Sequence, residues 1–211
     1  MLILVFDTET TGIIPKDIYN IEQCPYIIQF SYIIYDMKNY KIVNEYNKII
    51  HLHEKINISE ESTSIHGITS EMTKKSRTSI KKCLQDFKKN IDICDYIIGH
   101  NIDFDIKMVE IECQRNNLKI NMFKNPNKIF CTMQNSINIC KIEAQNIMGK
   151  YYKWPKLSEL HFHLFQIVPH NLHNAYNDIL ICLRCAVFLI KKVDIVKKDS
   201  VFKRKIKLLI N

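Results

Sequence analysis

Glycine and proline are scarce: the 211-residue chain has four of one and five of the other. No stretch gathers them into a linker, and no internal repeat or low-complexity block divides the sequence. One domain of ordinary size, long enough to bury a substantial core, is therefore expected. No apolar run reaches the roughly 20 residues a membrane-spanning helix needs, so no membrane partner is expected. The apolar start is also too short for a secretory signal, because it runs straight into Asp7. Eight cysteines are present, but Cys24, Cys83, Cys94, Cys113, Cys131 and Cys140 are widely scattered. Cys182-Leu183-Arg184-Cys185 has zinc-like spacing without a second pair to complete a site, and it lies in an apolar helical stretch. Buried free thiols in a reducing, intracellular compartment are the expectation.

Acid is the scarcer charge, with 22 Asp and Glu against 30 Lys and Arg, a net of +8. Such a surplus suits a protein that grips phosphates. Half of it falls in residues 194–211, where six basic residues outweigh two acidic ones. This segment reads as a basic C-terminal tail after a domain over residues 1–193. It is either a solvated helix or frayed end, or a grip on nucleic acid.

Against that background the few acids are unevenly placed. Leu2 to Phe6 is apolar and short enough for one buried strand, and it leads into Asp7-Thr8-Glu9-Thr10-Thr11-Gly12. Alternate side chains of a strand share a face, so Asp7 and Glu9 are presented together. Paired carboxylates resist ionising together unless a cation offsets them, and hard oxygen ligands suit Mg²⁺ or Mn²⁺. Gly12 permits a turn in which backbone approaches a ligand closely. The bland reading is a solvated acidic strand end. Two further acidic groups weigh against it: Gly99-His100-Asn101-Ile102-Asp103-Phe104-Asp105 after the short apolar stretch Tyr96 to Ile98, and His173-Asn174-Ala175-Tyr176-Asn177-Asp178 leading into the apolar segment Ile179 to Ile190.

In order and in content, these three groups resemble the exonuclease motifs of the DEDDh family, the DnaQ-like 3′-to-5′ exonucleases that include polymerase proofreading subunits. The family pattern is Asp-x-Glu on the first strand, His-Asn-x-x-Phe-Asp after a middle strand, and His-x-Ala-x-x-Asp near the last helix. Ser64-Ile65-His66-Gly67-Ile68-Thr69 is similar to a further stretch common in the DNA-directed branch. The resemblance runs from about residue 2 to residue 190. It implies an α/β, ribonuclease-H-like fold, a mixed five-stranded sheet flanked by helices. The sequence pattern agrees. Leu2–Asp7, Tyr26–Tyr35 and Lys41–His51 read as three strands with short connections that favour antiparallel pairing. Ile80–Ile93 then reads as helix, Tyr96–Gly99 as strand, Asp103–Asn116 as helix and Lys128–Thr132 as strand. The rest, including Leu157–Phe165 and Ala175–Lys191, reads as helix.

The same resemblance assigns roles. Asp7 would bridge two Mg²⁺ or Mn²⁺ ions, Glu9 and Asp178 would help hold the water-activating one, and Asp105 would complete the metal set. Asp105 fits the second motif's spacing; Asp103 instead has the look of an N-cap for the following helix. His173 and Asp178 are five residues apart, about 140° on a helix turning roughly 100° per residue. His173 is therefore placed on the loop before the helix, with Asn174 as a candidate N-cap, and is expected to act as general base. The sister branch with tyrosine would need it at Asn174, and Tyr176 is out of register. Backbone near Thr8 and Thr10 would recognise the terminal 3′ hydroxyl. Phe104 is either core or a stacking residue, Asn101 bonds either substrate or its own turn, and His66 is either a turn residue or a nucleotide contact. Trp154 to Leu160 reads as a turn and helix supporting the site.

The implied activity is release of nucleoside 5′-monophosphates from single-stranded or frayed 3′ ends of DNA, in proofreading or repair. RNA trimming by the same family is the alternative, and a non-enzymatic nucleic-acid-binding module on this fold is the third. Such a module would be expected to lose an acid or the histidine, and none is missing. No polymerase motif or clamp-binding tail is visible, so a DNA polymerase partner would be a separate chain.

Overall fold

The computed structural model describes residues 1–17 and 20–211. Three strands open the chain, β1 (Leu2–Thr10), β2 (Ile27–Asp36) and β3 (Lys41–Ile49). Helices α1 (Glu60–His66), α2 (Ser70–Lys75) and α3 (Ile80–Asp92) follow. Next come β4 (Tyr96–Gly99), α4 (Ile102–Arg115), β5 (Ile129–Cys131) and the short α5 (Ile137–Cys140). A hairpin of β6 (Glu143–Asn146) and β7 (Gly149–Tyr152) precedes α6 (Leu157–Phe165), α7 (Ala175–Lys191) and α8 (Ser200–Ile210).

The main sheet has the order β3-β2-β1-β4-β5. β1 and β3 run antiparallel to β2, while β4 pairs parallel with both β1 and β5. This is the mixed, helix-flanked sheet of the ribonuclease-H-like fold expected from the sequence. The first half of β1 is apolar throughout, and β2 is buried along nearly its whole length, because both faces of the sheet are covered. Leu4 and Phe6 of β1 enter one core with Leu84 and Phe87 of α3 and Met108 and Val109 of α4. Ile3 and Val5 point the other way, into a core with Ile179 and Leu183 of α7 and Phe202 of α8. The period-two alternation of β1 thus assigns each of its residues to the α4 side or the α7 side.

Several expectations are corrected. The first strand runs three residues past Asp7, since Thr8, Glu9 and Thr10 keep pairing with β2. Asp103 is not an N-cap: α4 starts earlier, Asn101 stands at the cap position, and the Asp103 carboxylate accepts from Gln134 Nε2 at 2.8 Å. The stretch Glu143–Tyr152, expected as helix, is the β6–β7 hairpin. Residues 194–211, read as a tail, continue the packed structure. Asp194 forms a two-pronged pair with buried Arg184 of α7, at 3.0 and 2.8 Å, and Phe202, Ile206 and Leu209 are buried. All eight cysteines are free, with seven buried and Cys140 half-buried. Among the described residues no helix is long and apolar enough to cross a membrane.

Candidate active site

The parity of β1 organises the site. Asp7 and Glu9 continue the face of Ile3 and Val5 and so look toward α7, whose first turns carry Asp178. Asp7, Glu9 and Asp178 each offer a carboxylate oxygen, and these lie within 4.8 Å of one another. Thr8 has the opposite parity and looks toward α4. There Asp105, 3% exposed, accepts from Thr8 N at 3.0 Å and from Thr8 Oγ1 at 2.7 Å. Four acids are therefore gathered around one strand end, three on the α7 side and the fourth tied to the strand from the α4 side. Gly99 allows this closeness, because a Cβ there would come within 3.0 Å of Ile102, the first residue of α4.

Crowded carboxylates should resist ionisation, and these do. Burial holds Asp7 well above the ordinary carboxylate range, and the charges of Asp105, Asp178 and Glu9 add to it. Glu9 is pushed up to about 8, by burial first and then by Asp178 and Asp105. Asp105 rises to about 7 through burial, although its bonds from Thr8 oppose the rise. Asp178 rises to about 7 through burial, opposed by the His173 backbone. One oxygen of Asp178, Oδ1, is buried without a hydrogen-bond partner. A buried orphan oxygen beside two more carboxylates is the donor set a hard divalent cation requires.

His173 is exposed on the loop before α7, with φ +68°. Its backbone N–H donates to Asp178 Oδ2 at 3.1 Å, so the loop and the acid are fixed to each other. Asn174 is the N-cap, its side chain accepting from Tyr176 N and Asn177 N. Sequence reasoning missed the residue that clamps this cap. Gln29 of β2, buried and paired in register with Glu9, accepts from Ala175 N at 3.1 Å and donates to Asn174 Oδ1 at 3.4 Å. Its signal was an amide inside the largely apolar run of Ile27 to Ile34, too costly to bury without partners.

A cleft of about 290 Å³ beside the acids is lined by Glu9, Thr10, Ser62, Ile65, His66 and Phe104, among others. The structure thus brings together four residues expected from separate motifs. His66 is buried; its Nδ1 accepts from Ile68 N at 3.0 Å and its Nε2 has no partner. Burial lowers its pKa, partly opposed by the Thr10 backbone. Thr8 and Asn101 do not line this cleft. Thr8 donates both its N–H and its hydroxyl to Asp105. Asn101 sits exposed at the start of α4 with φ +62°. The histidine before it is an anchor: the His100 ring bridges Thr132 Oγ1 at 2.9 Å and Pro155 O at 3.0 Å. Burial lowers the His100 pKa to about 4, against the pull of the Pro155 carbonyl.

Residues 4–186 match the RNase_T family model, described as an exonuclease. No curated protein sequence matches significantly. Among solved structures the chain is similar to a full-length 3′-exonuclease, with a TM-score of 0.65 at 16% identity, over 90% of this chain and 60% of that one. It is also similar to the nuclease domain of 3′hExo, a DEDDh family member bound to rAMP, with a TM-score of 0.67 at 16% identity, over 92% and 93% of the two chains. E. coli Exonuclease I in complex with a dA16 oligonucleotide gives 0.65 at 16% identity, over 96% of this chain and 43% of that one. At these identities the likeness establishes the fold; the family model carries the rest.

Proposed function

The chain belongs to the RNase_T exonuclease family, and from that premise we propose that it is a metal-dependent enzyme that shortens DNA from the 3′ end, releasing nucleoside 5′-monophosphates. The observation that carries this reading is the three-carboxylate group of Asp7, Glu9 and Asp178, with His173 held beside Asp178 by its own backbone. Those three acids, with Asp105 behind Thr8, would hold two Mg²⁺ or Mn²⁺ ions. When bound, the cations offset the carboxylate charge and polarise the scissile phosphodiester.

The chain's own residues supply the remaining chemistry. His173, exposed beside the cluster, accepts a proton from the attacking water at a ring nitrogen, a role suited to imidazole at neutral pH. The backbone bond from His173 to Asp178 keeps the base and the acid in one frame. Phe104 and His66 border the cleft next to Glu9, where the terminal nucleotide would lie. The Ile65-His66-Gly67 stretch favours DNA. One relative was solved with rAMP and another with dA16, so RNA trimming is the rival on the same fold.

Matched DNA and RNA oligomers labelled at the 5′ end test the reading. With Mg²⁺, DNA should shorten stepwise from the 3′ end to a ladder, with 5′-monophosphates released. A chelator should stop the reaction, and Mn²⁺ should restore it. Full activity in chelator would sink the metal-dependent account, and faster loss of RNA than of DNA would move the substrate to RNA.

A further inference from the structure

The β6–β7 hairpin is not used by the site described above, yet it and its exit expose several large apolar side chains. Ile147 and Met148 form its two-residue tip, fully or nearly fully exposed at 105% and 91%. Tyr151, Tyr152 and Trp154 are exposed on its second strand and exit. Together with Lys153 they line an open cleft of about 520 Å³. Lys141 and Lys156 are exposed around the ribbon, while Lys150 on it lies 4.0 Å from Glu143 and Lys153 pairs with Glu159 at 2.6 Å. A two-stranded ribbon gains little stability on its own, and aromatic rings left in water beside cations mark a surface with an occupant.

The ribbon is also tied to the acids. Lys153 N donates to Ile142 O at 2.9 Å and closes its base, and the chain then turns so that Pro155 O accepts from His100 Nε2 at 3.0 Å. The other nitrogen of His100 bonds Thr132 Oγ1, which contacts Cys182 Sγ at 3.6 Å. Cys182 stands one helical turn after Asp178. Four linked contacts therefore hold the hairpin exit against the framework that carries the metal site.

We propose that this hairpin and Trp154 form a stacking track for the single-stranded part of the nucleic acid, 5′ of the nucleotide being removed; the assignment rests on the exonuclease reading above. Aromatic faces accept any base, and interleaved lysines follow the phosphates, so such a track is tolerant of sequence. It supplies the grip on upstream nucleotides that a cluster of repelling acids cannot give.

Trp154 is the only tryptophan in the chain, so its fluorescence reports on this surface alone. The full chain is titrated in chelator with oligothymidylate or oligouridylate of about twelve nucleotides, within the usual span of single-strand sites. Either oligomer should quench the emission to saturation, while thymidine monophosphate at the same concentration should not. Which oligomer quenches at lower concentration separates DNA from RNA as the occupant. Tyr151→Ala with Tyr152→Ala should weaken oligomer binding, read by anisotropy, by roughly tenfold or more with an unchanged circular dichroism spectrum. Absence of quenching by both oligomers overturns the proposal, as does binding that the tyrosine changes leave untouched. A change in emission that follows protein concentration instead of oligomer also overturns it and makes the hairpin a contact between copies. Hydrolysis in Mg²⁺ is scored separately, so loss of the exonuclease reading and loss of the track are distinct results.

Discussion

The charge of Asp7 works against the fold, because burial and three neighbouring carboxylates all oppose its ionisation. Asp7→Asn should reduce cleavage by about 10³-fold or more, as losing one member of a catalytic unit does, and should raise the melting temperature in chelator. The direction follows from linkage. Glu9, Asp105 and Asp178 titrate in the folded protein near 8, 7 and 7, above their ordinary values, so the folded state binds more protons than the unfolded one. Stability of the metal-free protein is therefore greatest below about pH 4 for these groups and is lost as pH rises toward 8. Thermal melts in chelator should show that fall, a shallower one for Asp7→Asn, and recovery at pH 8 on adding Mn²⁺. A flat profile would mean the acids are not crowded. His173 has a different signature. His173→Ala should lower turnover by roughly 10²–10⁴-fold, the usual contribution of a positioned acid–base group. Mn²⁺ binding, followed by calorimetry, should persist because the Asp178 bond comes from the backbone. A lost Mn²⁺ affinity would make the histidine a ligand or a structural prop.

At the scale of elements, the pairing of Asp7 with Glu9 was legible because strand periodicity places side chains without reference to the rest of the fold. Asp105, Asp178 and His173 were instead read from motifs that resemble the exonuclease family. Asp7 with Glu9 needs only the period of two, and setting His173 off the helix of Asp178 needs only the helical pitch once the motif is recognised. What was not legible depended on partners distant in sequence. Asp103 was expected as a cap, but His100 is anchored to Pro155 and Thr132, which fixes the chain so that Asn101 takes the left-handed cap position. The β6–β7 hairpin is exposed on both faces, so it shows no apolar alternation, and its tip is Ile147-Met148 where Asn-Gly would have signalled a turn. The cap of α7 was visible in Asn174, whereas the Gln29 clamp that locks it required knowledge of strand register. Asn174→Ala removes the three hydrogen bonds that its side chain accepts at that helix start, and loss of such a cap costs about 1 kcal/mol. Because His173 is the preceding residue, turnover should fall more than stability alone explains. Steady-state kinetics well below the melting temperature would check this, and an unchanged turnover would show that the loop is held by the Asp178 bond alone.

For the whole molecule, the open question in the sequence was the last stretch, half of the net charge carried by a segment with two opposed readings. Its basic residues alternate with apolar ones at helical spacing, which a charge count conceals. Phe202, Ile206 and Leu209 fill the core between the sheet and α7, while Lys203, Arg204 and Lys207 stay exposed. Two polar ties add to the packing: Asp194 with Arg184, and Lys205 with Glu45 at 2.9 Å, the same carboxylate that accepts from Tyr176 in the first turn of α7. The segment therefore braces the helix that carries Asp178. Phe202 is fully buried against Tyr35, with ring centroids 6.5 Å apart. Phe202→Ala should cost about 3–5 kcal/mol, the transfer of the ring plus the cavity it leaves. Denaturant unfolding would measure it. Cleavage at low temperature should survive, since Phe202 touches none of the acids. If Phe202→Ala unfolded no more readily than the parent, residues 194–211 would be a dispensable tail after all, and the bracing of α7 would have to come from β1, β2 and α6.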